Sequence, residues 1–549
     1  MTKRHISRRT FIRGTVGVAG AAMTAAPALL SASRTNASSQ EQTPPEGSGE
    51  CSANRLQRAS KGYKPRYPGP RWHLIYGAYS GVEEFALDEL QKMIQRYVPY
   101  VVEIRHAAEP LDQDANHVLV GTVTNNPRIA DLAQKSAFKT PTKPQGYGSA
   151  CFKSPWNDER KAVVIAGTDA AGVLYGVIDF NKRLASATPD DPTEMRQALD
   201  NIAEFNAQES PLIENRGIWS WGYVIYDYRR FLDNMARLKM NRLVFWNDVP
   251  PVNCADVIDY AHSRGINVVL GFSWGYDLST LDPTSSADRQ VVKDDVLCQI
   301  AQYYQHLGMD AIYFQSFTET ANQEIGGKPI AVLARDWVND IAGAVLNRYP
   351  EMKIEWGLHA SSILENYKYL ESLDPRIAIV WEDAGVIPYS YDPVTAGSAD
   401  DLPAILNSPA ATRAYSKKLA TFRDHSEFAM VAKGWIQMRW RTESEHHGPF
   451  IMGERAPSFI RNRSRERQPR WDFVNNLWLQ NYPETLRFYQ EVRDCTSSKM
   501  TVLALIEDGL FEEKIQLSTA LYAEMIWNPR RSIKDVLQQA TNPYYSQIE

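Results

Sequence analysis

The chain has 549 residues, which at roughly 100–250 residues per domain gives two or three domains, and its 44% hydrophobic and 23% charged residues are ordinary for a soluble globular protein. A net charge of −5 excludes the global basic field that would draw nucleic acid or an anionic membrane surface. The five cysteines (Cys51, Cys151, Cys254, Cys298 and Cys495) are far apart and odd in number, with no C-x-x-C pair, so neither a zinc knuckle nor a redox motif is indicated.

Residues 7–13 read Ser-Arg-Arg-Thr-Phe-Ile-Arg, and an apolar, Ala- and Gly-rich stretch follows over 14–30. Small residues at 31–33 and near Ala37 suit a signal peptidase. Paired Arg8 and Arg9 before a mildly apolar segment resemble a twin-arginine export signal, which implies handling by the twin-arginine machinery and a periplasmic or secreted mature protein. The signal is expected over 1–37. A linker rich in Ser, Gly, Pro and charge is expected over 38–70. No other stretch approaches 18 apolar residues, so no stable membrane span is expected after cleavage.

A small α+β, sandwich-like domain is expected over 71–209. The pattern predicts strands over 72–76, 101–105, 117–121 and 162–167, with helices over 83–98, 126–135 and 170–184. The glycines of the run over 167–177 lack the G-x-G-x-x-G spacing, so a tight strand–helix connection is expected there and no dinucleotide site.

From Asn215 the rhythm becomes a strict alternation. Strands are predicted over 216–221, 241–246, 266–274, 311–317, 353–359, 376–381 and 428–435, and an eighth near 501–506. Helices are predicted over 228–240, 253–264, 288–307, 330–348, 363–373 and 410–425. Repeated β-α units with apolar strands argue for a parallel sheet. About 300 residues of them favour a closed α/β (β/α)₈ TIM barrel over 210–549, with further helices at its C-terminal end. An open doubly wound sheet would show a Gly-rich first turn, whereas Trp219-Ser220-Trp221-Gly222 stands there.

Function in such barrels collects at the carboxyl ends of the strands. Those ends carry Trp219 and Trp221; Trp246 and Asp248; Trp274 and Asp277; Gln315 and Glu319; His359; Trp381, Glu382 and Asp383; and Lys433 and Arg439. Sugars need this mixture, since pyranose faces stack on aromatic rings and hydroxyls are held by polar side chains. Glycoside hydrolysis needs two carboxyl groups flanking the scissile bond. Glu319 is the candidate acid, and Glu382 or Asp383 the candidate base or nucleophile, facing it across the barrel mouth. The Trp residues, Asp248, Asp277, Gln315, His359, Lys433 and Arg439 are expected to bind substrate. Lys433, Arg439 and Arg441 would suit a carboxylate-bearing sugar. Glu355, inside a strand, is expected in an ion pair. His359, His446 and His447 have no ligand spacing with nearby carboxylates, so no metal and no cofactor are expected.

The small α/β domain followed by a barrel resembles the layout of family 67 α-glucuronidases and family 20 β-hexosaminidases. The resemblance is carried by Val-Leu-Val-Gly-Thr over 118–122, the Gly-Thr-Asp-Ala-Ala-Gly-Val-Leu-Tyr-Gly run from Gly167, and Ala-Leu-Tyr-Ala-Glu-Met-Ile-Trp-Asn-Pro over 520–529. It implies an exo-acting glycoside hydrolase, inverting if the α-glucuronidase pattern holds, acting on the terminal bond of an oligo- or polysaccharide. Those α-glucuronidases place the acid in a Ser-Glu-Gly context; Glu319 matches the Glu but not its neighbours. Their base comes from later strands, where Glu382, Asp383 and Glu443 are all open. Family 20 uses an adjacent Asp-Glu pair, and Thr318 stands where that Asp would be. Two other classes stay open: a non-catalytic carbohydrate-binding protein on the same barrel, and a polysaccharide lyase or isomerase with Lys433 as base.

Overall fold

The computed structural model describes residues 69–187, 198–247, 249–274, 281–320, 322–382, 384, 406, 408–423, 427–432, 435, 449–506 and 511–547. The expected signal and most of the linker lie outside the described residues.

The first unit is a six-stranded sheet of β1 (Trp72–Tyr76), β2 (Glu103–His106), β3 (Asn116–Thr122), β4 (Tyr147–Ser154), β5 (Asn157–Gly167) and β6 (Phe205–Glu209), in the order β2-β1-β3-β5-β4-β6. Its β1, β2, β3 and β5 run parallel, and β4 is antiparallel to both β5 and β6. Alternate strand residues point to opposite faces. Leu74, Val118 and Val163 therefore pack under α1 (Gly81–Gln95) and α3 (Ala170–Ala187), while Ile75, Leu119 and Val164 pack with Ile129 and Leu132 of α2 (Pro127–Gln134). Helices on both faces explain why all seven residues of β3 are buried. Asn126 starts α2 by accepting from the amides of Arg128 and Ile129, with Pro127 in the first turn, where its missing N–H costs nothing.

Eight parallel strands then close into a barrel. They are β7 (Asn215–Trp221), β8 (Arg242–Trp246), β9 (Asn267–Ser273), β10 (Ala311–Gln315), β13 (Ile354–Leu358), β14 (Ile377–Trp381), β15 (Phe428–Ala432) and β16 (Met500–Leu505), with a small hairpin of β11 (Glu324–Ile325) and β12 (Lys328–Pro329) after β10. The last strand closes the ring by pairing Thr501 with Asn215 through to Leu505 with Trp219. One residue parity fills the lumen with Trp219, Val244, Trp246, Val269, Tyr313, Val380, Val431 and Leu503. The other parity packs outward under α4 (Tyr228–Arg237), α5 (Cys254–His262), α6 (Ser286–Gln299), α7 (Ile330–Arg348), α8 (Pro409–Leu419), α9 (Pro457–Cys495) and α10 (Leu517–Trp527). Glu355 of β13 points into the lumen and pairs with Arg242 at the start of β8, as its place inside a strand suggested. The segment expected as a helix over 363–373 is a 3-10 run, Leu364–Ser372.

The sheet packs on the end of the barrel where the strands begin. Arg216, at the start of β7, donates to the carbonyls of Ile213 (2.7 Å) and Lys239 (2.9 Å) and to Gln145 Oε1 (2.9 Å). Arg237, closing α4, makes a bidentate pair with Glu89 of α1 at 2.8 and 2.9 Å. Lys182 of α3 pairs with Glu524 of α10. The Trp527 ring lies 5.2 Å from that of Tyr175.

Candidate active site

Among the described residues, Glu382 is a carboxylate held by several side chains at the barrel's opposite end. It follows β14 directly, its amide donating to the Leu358 carbonyl at 3.0 Å, so it keeps the strand's alternation and points inward. It is buried. Its Oε1 accepts from the Tyr313 hydroxyl at 2.5 Å and from Gln315 Nε2, both on β10. Its Oε2 lies 3.3 Å from His359 Nε2, at the end of β13. Burial first, and the neighbouring Glu382 charge second, push the Tyr313 hydroxyl well above its ordinary range, so it stays protonated and donates. Donors on a carboxylate favour its ionised form.

Glu319 lies half-buried in the turn after β10. The preceding Thr318 is fully buried, and its Oγ1 accepts from the His359 amide at 3.5 Å. This bond ties the turn that carries Glu319 to the residue that contacts Glu382. In the strand order β10-β13-β14 the strands that carry the two carboxylates are next but one, and the strand opposite β14 is β8.

The tryptophans divide by parity. Trp219 and Trp246 point into the lumen, with rings stacked at 6.2 Å and both turned edge-on to Tyr313 at 5.9 and 6.2 Å. Each is only 3% exposed, so they form a floor and not an open stacking surface. Trp221, two residues on and 4.7 Å from Trp219, is half-buried at the mouth. Trp274 and Trp381 are corrections. Trp274 stacks on Phe314 at 3.7 Å in the outer core, and Trp381 packs there near Phe422 at 6.1 Å. Gln315 and His359, expected to hold substrate, both engage Glu382, although Gln315 Oε1 is buried with no hydrogen-bond partner among the described residues. Asp248, Asp277, Asp383, Lys433, Arg439, Arg441, Glu443, His446 and His447 lie outside the described residues.

Tyr313 is the site residue that sequence reasoning missed. The signal was present in Ala311-Ile312-Tyr313-Phe314-Gln315, because Tyr313 shares its parity with Gln315 and so shares its face. No group of His, Cys, Asp and Glu among the described residues is placed to hold a metal ion. A cleft of 420 Å³, lined in part by Lys143, Gln208, Glu209 and Asn528, lies at the junction with the sheet and not at the mouth.

No protein-family model matches the chain, and no curated protein does. Solved structures do match over most of its length. The structure described as CpGH84B has a TM-score of 0.47 and 13% identity, over 85% of this chain and 70% of that one. A GH138 enzyme targeting pectin rhamnogalacturonan II has a TM-score of 0.47 and 10% identity, over 85% of this chain and 52% of its own length, so this chain spans about half of it. A GH20 exo-β-N-acetylglucosaminidase from Vibrio harveyi, in complex with N-acetylglucosamine, has a TM-score of 0.42 and 11% identity, over 86% of this chain and 73% of that one. Likenesses this distant carry no residue roles across.

Proposed function

We propose that the chain is a glycoside hydrolase that cleaves a terminal glycosidic bond by carboxyl acid–base chemistry. The observation that carries this reading is Glu382, a buried carboxylate at the catalytic end of a (β/α)₈ barrel, held by Tyr313, Gln315 and His359 and coupled through Thr318 to the turn bearing Glu319. In this reading Glu319, with access to solvent, is the general acid that protonates the leaving oxygen. Glu382 is the base or nucleophile. Trp221 stacks on a sugar face at the mouth. The cationic Lys433 and Arg439 support a uronic acid as the sugar. The paired Arg8 and Arg9 before an apolar stretch support export of this enzyme by the twin-arginine route.

The test is sugar release from a panel of nitrophenyl glycosides and oligosaccharides, uronic acids included. The parent should release sugar from at least one substrate, and Glu319→Gln and Glu382→Gln should each lose about 100-fold or more. The Glu319→Gln deficit should shrink on dinitrophenyl glycosides, whose leaving group needs little protonation; the Glu382→Gln deficit should not. Turnover of no substrate by the parent, or full activity in Glu382→Gln, would sink the reading.

A further inference from the structure

We propose that Tyr313 is the positioning residue that fixes Glu382 as the working carboxylate of the site, reaching it through a gap that Gly357 leaves in the strand between them. The chemistry of this role rests on the hydrolase reading, but the geometry does not.

The two residues are on strands that do not touch. β13 lies between β10 and β14, with Gln315 and Val380 both in register with Gly357. Strands two apart are separated by about 9–10 Å, so a short direct bond passing close over the intervening strand needs room at that strand. Gly357 meets that condition. A Cβ built there would lie 2.0 Å from the Tyr313 hydroxyl oxygen and 2.6 Å from Glu382 Oε1, in the path of the 2.5 Å bond between them. Alanine would therefore have to break the bond to fit.

The bond also distinguishes the two carboxylate oxygens. Oε1 is occupied by two donors from one strand, Tyr313 and Gln315, whereas Oε2 faces His359. Tyr313 itself is fully buried, with Trp219 and Trp246 set edge-on to its ring, so it touches no substrate. Tyr313 on β10 and His359 after β13 are titratable groups set against Glu382, and the uncharged Trp219 and Trp246 of β7 and β8 lie against Tyr313.

The experiment is a ¹³C NMR titration of the full chain labelled at the glutamate carboxyl carbon, with the Glu382 signal assigned by its absence in Glu382→Gln. Tyr313→Phe removes one oxygen atom and should raise the Glu382 midpoint by at least about one unit, a tenfold gain in proton affinity. Gly357→Ala should raise it as well, although the tyrosine is still present. The acidic limb of the kcat/KM profile should move with the midpoint in both variants. A midpoint within about 0.3 unit of the parent in either folded variant overturns the proposal and leaves Tyr313 a filler of the lumen. The titration needs no substrate, so failure of the hydrolase reading and failure of this one are told apart.

Discussion

At the scale of single residues, His117 is a group whose charge the fold suppresses. It is fully buried on β3, its ring 5.6 Å from that of Trp156 and 6.2 Å from that of His73. Burial, and then the neighbouring His73, pull its pKa from 6.5 down to about 4. Burial lowers His73 too. Between those values the unfolded chain takes up a proton that the folded one refuses. Stability from this residue is thus complete above pH 6.5 and falls as the pH drops toward 4, by up to about 3 kcal/mol. The melting temperature of the parent should fall more between pH 7 and pH 4.5 than that of His117→Phe; parallel losses would place the acid sensitivity elsewhere. Residue parity also decides what was legible in the site. Trp219 and Trp221 share a face because they are two apart, and both do point inward. Trp381 and Glu382 are adjacent, so only one of them can enter the lumen, and the charge goes in because Tyr313, Gln315 and His359 are there to meet it. Neither Gly357 nor Tyr313 reads as functional in sequence, because their meaning depends on the register that sets Gly357 between Tyr313 and Glu382, which an apolar run does not reveal.

Between elements, the bidentate Arg237–Glu89 pair joins a barrel helix to a helix of the sheet unit with both side chains largely out of water. Lys92 touches the same carboxylate at 3.5 Å from an exposed position and cannot replace the guanidinium. Arg237→Met should therefore cost about 3–5 kcal/mol, and Arg237→Met with Glu89→Leu should recover most of it, since the penalty is that of a buried charge without its partner. Urea midpoints measure both; a double variant as weak as the single one would contradict this account. The elements that went unread have physical reasons. The strand β4, Tyr-Gly-Ser-Ala-Cys-Phe-Lys-Ser, is made largely of small and polar residues, and β6 is a polar edge strand. The 39-residue α9 contains Pro469 and Pro483, which read as helix breakers, yet the helix runs through both. The barrel strands were readable to within a few residues because their apolar runs must fill both a lumen and an outer core.

Over the whole molecule, the sheet and the barrel share charged, aromatic and apolar contacts, from Arg216 and Tyr175 to Trp527, Glu524 and Lys182. A body assembled in this way suits a route that moves folded cargo. Replacing both Arg8 and Arg9 by Lys should hold the protein in the cytoplasm at undiminished specific activity. Fractionation of the producing cells tests this, and an unchanged periplasmic or secreted share would remove the twin-arginine assignment. The place of the junction has one more consequence. The sheet covers the end where the barrel strands begin, and Glu382 stands where they finish, so the molecule has a back and a front. A bead, fibre or cell wall that grips the sheet would leave the front open to the surroundings. On the hydrolase reading proposed above, a preparation immobilised there should attack large, slowly diffusing polymers as readily as the protein in solution, whereas attachment around the rim would spare only small substrates.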